Sequence, residues 1–148
     1  MYSRILIAYD GSPDGNVAIE RAAEFVKVAA THDTQPKIAV LAVMYLSAGV
    51  LAAISQGATE VLDASEAEMR EILATGIGML RQRGIAAEAD FTTGEPAREI
   101  CEAAKRMDAD LIVLGHRSRR TLARFWEGSV GSRVLEAAPC SVLVAVGD

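Results

Sequence analysis

The segment between residues 115 and 132, GHRSRRTLARFWEGSVGS, combines glycines, hydroxyls and arginines in a way that suits the binding of an anion. Gly115 ends an apolar run, and Gly128 with Ser129 opens a helical pattern. The first turn of a helix offers backbone N–H groups without helical partners and the positive end of the helix dipole, which together attract phosphate. Ser129 and Ser132 add hydroxyls to this turn. The segment also concentrates four positive charges, at Arg117, Arg119, Arg120 and Arg124.

A second interpretation of this segment is purely structural. Ser129 would then only cap the helix, and the arginines would lie in solvent, since helix caps and exposed arginines are both common. The residues alone favour neither interpretation. The standard phosphate-binding signatures do not decide between them, because the chain has neither G-x-x-x-x-G-K-[ST] nor a G-x-G-x-x-G after a strand.

Two titratable residues stand near the same predicted site. Asp10 follows the first apolar run, where its carboxylate could accept hydrogen bonds from ribose hydroxyls or contact a divalent cation. It could equally form an Asx-turn that begins the first helix. His116 could act as a general base, although a lone histidine in a loop is more often exposed or hydrogen-bonded. A zinc site is not expected, because Cys101 and Cys140 are far apart and belong to no cysteine–histidine cluster.

The elements that must position these residues alternate along the chain. Apolar runs predict strands over residues 4–9, 37–45, 110–114 and 141–146, and a more alternating run predicts an edge strand over residues 85–91. Helical spacing predicts helices over 13–31, 59–83, 93–107 and 128–137. Such alternation indicates a single doubly wound α/β domain over residues 1–148, with a five-stranded parallel sheet of order 3-2-1-4-5 and helices on both faces. Ligands bind such sheets beyond the carboxyl ends of the strands, where the strand order reverses.

One uncharged segment, residues 38–59, approaches the length of a membrane span. Its first half is rich in β-branched residues, which favours a buried strand, and polar residues and glycines dilute the second half. We therefore expect no membrane span, and we predict a long loop with a helical turn over residues 46–57.

Composition narrows the classes of function. The chain has 148 residues, of which 51% are hydrophobic and 24% charged, and a net charge of −5. An acidic chain has no general attraction for nucleic acid or anionic lipid, so neither is an expected partner. The two cysteines and the lack of an export signal predict a reducing, cytoplasmic location.

Three stretches of the chain resemble the universal stress protein family: ILIAYDGSPDGNVAIERAAEF, TGEPAREICEAAKRMDADLIVLG and EGSVGSRVLEAAPCSVLVAV. The resemblance implies a five-stranded parallel α/β fold and a cytoplasmic homodimer, and it implies binding of ATP, with Mg²⁺, as in many members. The nucleotide-binding members carry G-x2-G-x9-G-[ST]. Gly115 and Gly128-Ser129 match this pattern at the right spacing, but Ser118 occupies the place of the second glycine and Gly131 that of a later hydroxyl residue.

The resemblance also implies roles for individual residues. Asp10 would meet the ribose and the phosphates, with a metal contact only through a cation bound to the nucleotide. The backbone near Val43 would contact the adenine edge. The phosphates would lie against the residues of the glycine motif, Gly115, Arg117, Ser118, Gly128, Ser129 and Ser132.

The last apolar run, Ser141–Val146, would form an edge strand in the predicted strand order. An apolar edge strand favours pairing with another chain, and family dimers resemble this arrangement. We therefore expect a homodimer through this strand, unless the residues after it cover the edge. The main hypothesis is an adenine-nucleotide-binding, dimeric stress-response regulator with at most slow ATP hydrolysis. The alternatives are a dimeric module that binds a protein partner without nucleotide, suggested by Ser118 and the uncharged 46–57 segment, and an enzyme that uses His116.

Overall fold

Strands and helices alternate along the chain, as the sequence predicts. The computed structural model describes residues 2–30, 34–116 and 130–147. The strands are β1 (Arg4–Ala8), β2 (Lys37–Met44), β3 (Glu88–Thr93), β4 (Leu111–His116) and β5 (Ser141–Val146). The helices within the described residues are α1 (Pro13–Ala29), α2 (Ala48–Ser55), α3 (Thr59–Arg81), α4 (Pro96–Arg106) and α5 (Val130–Ala137).

The five strands form one parallel sheet of order β3-β2-β1-β4-β5, which confirms the predicted strand order. β1 lies at the centre, where Ile7 pairs with Val40 of β2 on one side and Val113 of β4 on the other. The chain proceeds from β1 toward one edge through β2 and β3, and then returns to the other side through β4 and β5. The strand order therefore reverses between β1 and β4.

Each face of the sheet buries its own apolar core. Ile5 and Ile7 of β1 point to one face, where α1 and α3 pack, and Leu6 points to the other, where α4 and α5 pack. Burial on both faces explains why the central strands β1, β2 and β4 are mainly continuous apolar runs rather than alternating ones. Cys101 is buried in the second core and Cys140 packs against it, as predicted. None of the described helices is both long and apolar enough to cross a membrane.

Side chains fix the beginnings of two helices at the carboxyl edge of the sheet. The Oγ of Ser12 accepts a hydrogen bond from the N–H of Gly15 at 3.2 Å, and Pro13 opens α1, as the sequence predicts. Glu95 caps α4 in the same manner and accepts from the N–H of Arg98 at 2.9 Å. These caps place the first turns of α1 and α4 beside the ends of the strands that precede them.

The opposite edge of the sheet is held by Asp110, which precedes β4. Its carboxylate accepts hydrogen bonds from the N–H groups of Ser3 and Arg4, at 2.8 and 3.0 Å, and thus ties the start of β1 to the start of β4. Burial acts to raise the pKa of Asp110, but the hydrogen bonds from Ser3 and Arg4 outweigh it and leave the pKa below its ordinary value.

Several predicted details are wrong. Residues 46–57, predicted as a long loop with a single helical turn, contain the two-turn helix α2, because the Oγ of Ser47 accepts from the N–H of Val50 and caps a helix there. β3 begins at Glu88, later than predicted, and ends at Thr93. Val61 and Val130 are apolar residues within helices, yet both are 41% exposed. Val61 lies at the start of α3, before the part that packs on the sheet, and Val130 lies at the rim of a cavity.

Candidate functional site

A cavity of about 510 Å³ lies at the carboxyl edge of the sheet, at the point where the strand order reverses. Its volume is within the range of small-molecule sites in proteins. The first residues of α1, α4 and α5 surround the ends of β1, β2 and β4. The described residues that line it are mostly apolar, and they are Ala8, Tyr9, Asp10, Asp14, Gly15, Leu41, Val43, Pro96, Ile100, Leu114, Gly115, His116, Val130 and Gly131.

The side of the cavity between β2 and α4 is apolar. It is formed by Leu41 and Val43 of β2 together with Pro96 and Ile100 of α4. Leu114 of β4 also lines the cavity. Leu41 and Ile100 are buried in the core below, so they hold this surface in a fixed position. An apolar surface of this kind can accept one face of a flat aromatic ring.

The backbone of Val43 offers polar groups beside this apolar surface. The carbonyl of Leu41 accepts from the N–H of Tyr9, on the β1 side, and the carbonyl of Met44 accepts from the N–H of Gly94, on the β3 side. Backbone groups alternate between the two sides of a strand, so the N–H and C=O of Val43 face the β1 side. The last pair between β1 and β2 is Ala8 with Leu41. Val43 therefore presents one donor and one acceptor past the end of β1.

Asp10 forms the predicted Asx-turn and also lines the cavity. Its Oδ1 accepts hydrogen bonds from the N–H of Ser12 at 2.9 Å and from the Ser12 hydroxyl. No other group in the described part of the chain donates to Asp10, and its side chain is exposed. Among the described residues the turn therefore uses Oδ1, and no donor contacts Oδ2. The structural and the ligand-binding interpretations of this residue are compatible.

Gly115 lines the cavity, but its closest neighbour is the backbone of α1. A Cβ at this position would lie 1.6 Å from the carbonyl oxygen of Asp14 and 3.1 Å from the N of Ala18. No side chain fits in that space, so glycine is needed for α1 to pack against the end of β4. This packing requirement was not predicted from the sequence, which assigned Gly115 to the phosphates.

The remaining predicted residues fall in different places. Ser132 of α5 is buried and is not among the residues that line the cavity, whereas its neighbours Val130 and Gly131 are. His116 lines the cavity at the end of β4. The predictions for Arg117, Ser118, Gly128 and Ser129 lie outside the described residues. No cluster of metal-ligating side chains occurs within residues 2–30, 34–116 and 130–147.

Tyr9 is a cavity residue that sequence reasoning assigned only to a strand. Its hydroxyl donates to the Oδ1 of Asn16 at 3.0 Å, and its ring fits against two glycines. A Cβ on Gly15 or Gly76 would come within 2.9 Å of that ring. Burial raises the pKa of the Tyr9 hydroxyl, and the negative charge of Asp10 raises it further. A glycine inside the helical pattern of α3 was the signal that something large packs there.

An ion pair joins the two helices that border the cavity. The Oε1 of Glu95 lies 3.3 Å from the Nη1 of Arg133, so the start of α4 is linked to α5. The pKa of Glu95 is below its ordinary value, first because the N–H of Arg98 donates to its carboxylate, and also because of Ala97 and Arg133. The pair helps to set the separation of Pro96 on α4 from Gly131 on α5.

The matching family model and the two relatives described next all belong to one protein family. The model of the universal stress protein family matches residues 1–145. A universal stress protein of Methanocaldococcus jannaschii is 31% identical over 146 residues, which cover 97% of this chain and 82% of that protein. A universal stress protein of Synechocystis is 42% identical over 90 residues, which cover 61% of this chain and 58% of the Synechocystis protein.

Solved structures show the same fold. The structure of hypothetical protein MJ0577 superposes with a TM-score of 0.79 at 20% identity, and covers 100% of this chain and 98% of that one. A universal stress protein family protein from Arabidopsis thaliana with AMP bound gives a TM-score of 0.70 at 22% identity, over 99% and 92% of the two chains. A universal stress protein in complex with cAMP gives 0.69 at 18% identity, over 97% and 95%.

Proposed function

The chain belongs to the universal stress protein family, and from this premise we propose that its cavity binds an adenine nucleotide, with Mg-ATP as the ligand. The observation that carries the proposal is the backbone of Val43, which presents a donor and an acceptor beside an apolar surface at the strand-order reversal. An adenine ring needs this combination, because it has a hydrogen-bonding edge and two apolar faces. Two structural neighbours in the same family hold AMP and cAMP.

The cavity suggests how such a ligand would lie. The adenine would pack against Ile100 and Leu114 with its edge toward Val43. The ribose and the first phosphate would lie near Oδ2 of Asp10, which is also the carboxylate best placed to contact a cation bound to the phosphates. The remaining phosphates would extend toward Gly131 and the 117–129 segment, where the sequence predicts an anion site.

The proposal assigns a binding role and no catalytic residue. Binding would alter the surface around the cavity and so change which protein partner the molecule contacts. The proposal includes a cytoplasmic homodimer formed through β5. This strand lies at one edge of the sheet, and its Val142, Leu143 and Val144 are only half-buried in the single chain, which supports pairing with a second copy.

A pair of matched variants tests the ligand site. Val43→Trp would fill the cavity at the adenine position, while Val28→Trp places the same side chain on α1, where Val28 is 89% exposed and outside the cavity. Isothermal titration calorimetry with AMP, ADP and Mg-ATP measures the dissociation constants. We expect Val43→Trp to weaken binding by at least about 100-fold and Val28→Trp to leave it unchanged. Equal binding by all three proteins would place the ligand elsewhere.

The 117–129 segment is tested separately. Gly128→Val should weaken the binding of ATP far more than the binding of adenosine, because the sequence assigns this glycine to the phosphates. Equal loss for adenosine and ATP would remove Gly128 from the phosphate site. Sedimentation of the same variant should still show a dimer, since the β5 edge is unchanged.

A further inference from the structure

The first half of α3 extends beyond the sheet at the same edge as the cavity. The buried residues of α3 are Leu73, Gly76 and Leu80, all in its second half. Ile72 lies against Gly11, just past the end of β1. Because a helix rises 1.5 Å per residue, residues 59–71 are about 20 Å long, and near their end Met69 packs against the core. Together with Tyr45 and α2 they form a two-helix projection, residues 45–71, which we call the α2–α3 arm.

The α2–α3 arm exposes apolar surface that no described element covers. The sequence of α2, AGVLAAIS, is apolar on every side, yet α2 has no buried residue and packs mainly against α3. Five large apolar side chains are exposed in the described part of the chain, and three of them lie in the arm: Tyr45 at 65%, Leu51 at 50% and Val61 at 41%. Concentrated exposure of this kind marks a contact surface rather than ordinary scatter.

The arm also carries most of the net charge. The chain has 20 acidic and 15 basic residues. Five of the acidic ones but only one basic residue, Arg70, fall within residues 45–71. None of the five carboxylates forms an ion pair with another residue in the described ranges. These acidic residues are Glu60, Asp63, Glu66, Glu68 and Glu71.

We propose that the α2–α3 arm binds a basic amphipathic helix of a partner protein. The apolar face of such a helix would cover α2, and its lysines and arginines would meet the carboxylates of α3. The negative charge of the arm disfavours the other molecules that could cover its apolar surface. An anionic membrane or a nucleic acid would be repelled, and arm-to-arm contact with a second copy would bring the same carboxylates together.

A synthetic peptide of leucines and lysines at amphipathic helical spacing is the probe, and its leucine–glutamate counterpart is the charge control. Fluorescence anisotropy measures binding to the wild-type protein at low and at physiological salt. We expect the lysine peptide to bind at least about tenfold more tightly than the glutamate peptide, and its affinity to fall with salt. Equal affinity for the two peptides would overturn the proposal.

Matched variants locate the binding surface. Leu51→Ser should weaken the binding of the lysine peptide by at least about fivefold. Val28→Ser changes an exposed valine outside the arm and should leave the affinity for the peptide unchanged. Both residues are at least half exposed, so both proteins should fold, which circular dichroism checks. Equal affinity in the two variants would show that the peptide does not bind the arm.

Charge variants complete the test. The double variant Glu60→Gln with Asp63→Asn should bind the lysine peptide more weakly and with a smaller dependence on salt. The control, Glu20→Gln with Glu136→Gln, removes two exposed carboxylates outside the arm. It should change neither the affinity for the peptide nor the salt dependence of that affinity. Sedimentation of Leu51→Ser tests the competing occupant. A dimer that dissociates in this variant, with peptide affinity unchanged, would assign the arm to a second copy and refute the proposal.

Discussion

Replacing Gly115 with alanine tests whether this glycine serves packing as well as ligand binding. The new Cβ would lie 1.6 Å from the carbonyl oxygen of Asp14, whereas ordinary contact begins at 3.4 Å. The overlap is about 1.8 Å, and it involves backbone, which cannot rotate away as a side chain can. The first turn of α1 would therefore have to move away from the end of β4.

The size of the effect follows from this overlap. Inserting a group into a close-packed site costs about 1–3 kcal/mol, and we expect the upper end because the obstacle is a helix backbone. For a chain of this length, 1 kcal/mol lowers Tm by roughly 2–4 °C. Gly115→Ala should therefore lower Tm by roughly 6–12 °C. It should also weaken any ligand held by Asp10, since Asp10 and α1 belong to the same turn.

Differential scanning calorimetry measures this change, with Gly78→Ala as the control. Gly78 lies inside α3, and a Cβ there meets nothing within 4 Å. The control should be stabilised by about 0.4–1 kcal/mol, because alanine loses less backbone entropy than glycine on folding. A Gly115→Ala protein as stable as wild type would refute the close packing of α1 against β4.

Three further changes test other contacts. Gly76→Ala should lower the free energy of unfolding by about 1–3 kcal/mol, because its Cβ would lie 2.8 Å from the Tyr9 ring. In urea denaturation, the double variant with Tyr9→Ala should lose less stability than the sum of the two single losses. Full additivity would count against the contact. Asp110→Asn should cost about 1 kcal/mol near neutral pH. Because the pKa of Asp110 is lowered in the folded protein, this carboxylate stabilises the protein above the ordinary pKa of 3.8, and the stabilisation is lost as pH falls below that value. Urea denaturation at several pH values should therefore show a smaller loss of stability in acid for the variant than for the wild type. The same loss in both proteins would show that Asp110 does not stabilise the fold in this way. Arg133→Met should cost at most about 1 kcal/mol, since its ion pair with Glu95 is largely exposed; a loss above about 2 kcal/mol would mean that the pair does more than link two surface helices.

The sheet was predictable because its central strands are buried on both faces. β1 and β2 therefore read as continuous apolar runs, and right-handed crossovers leave few orders for five parallel strands. For a related reason, the helix α2 was predicted only as a helical turn within a long loop. A helix that is apolar on every side has no 3.6-residue periodicity, so AGVLAAIS gives no helical signal beyond its Ser47 cap.

The candidate site was predictable only in part. Asp10, Val43 and Gly115 stand at strand ends, and the topology brings all three to one cavity. Ser132 of α5 is buried, whereas its neighbour Gly131 lines the cavity, and a role of the Ser132 hydroxyl in phosphate binding stays a prediction. The role of Tyr9 and the packing role of Gly115 depend on contacts between α1, α3 and the strand ends. A glycine inside the helical pattern of α3 gives a local sign of the Tyr9 contact, but no local pattern indicates the packing of Gly115 against α1.

Thermal unfolding with and without millimolar Mg-ATP is the most direct test of the central claim that the cavity binds an adenine nucleotide. A ligand at about 100 times its dissociation constant stabilises the folded protein by about 2.7 kcal/mol, which corresponds to a rise in Tm of roughly 5–11 °C for a chain of this size. We expect that rise in the wild-type protein and in Val28→Trp, and none in Val43→Trp. An unchanged Tm in the wild-type protein with ATP, ADP and AMP alike would contradict the account.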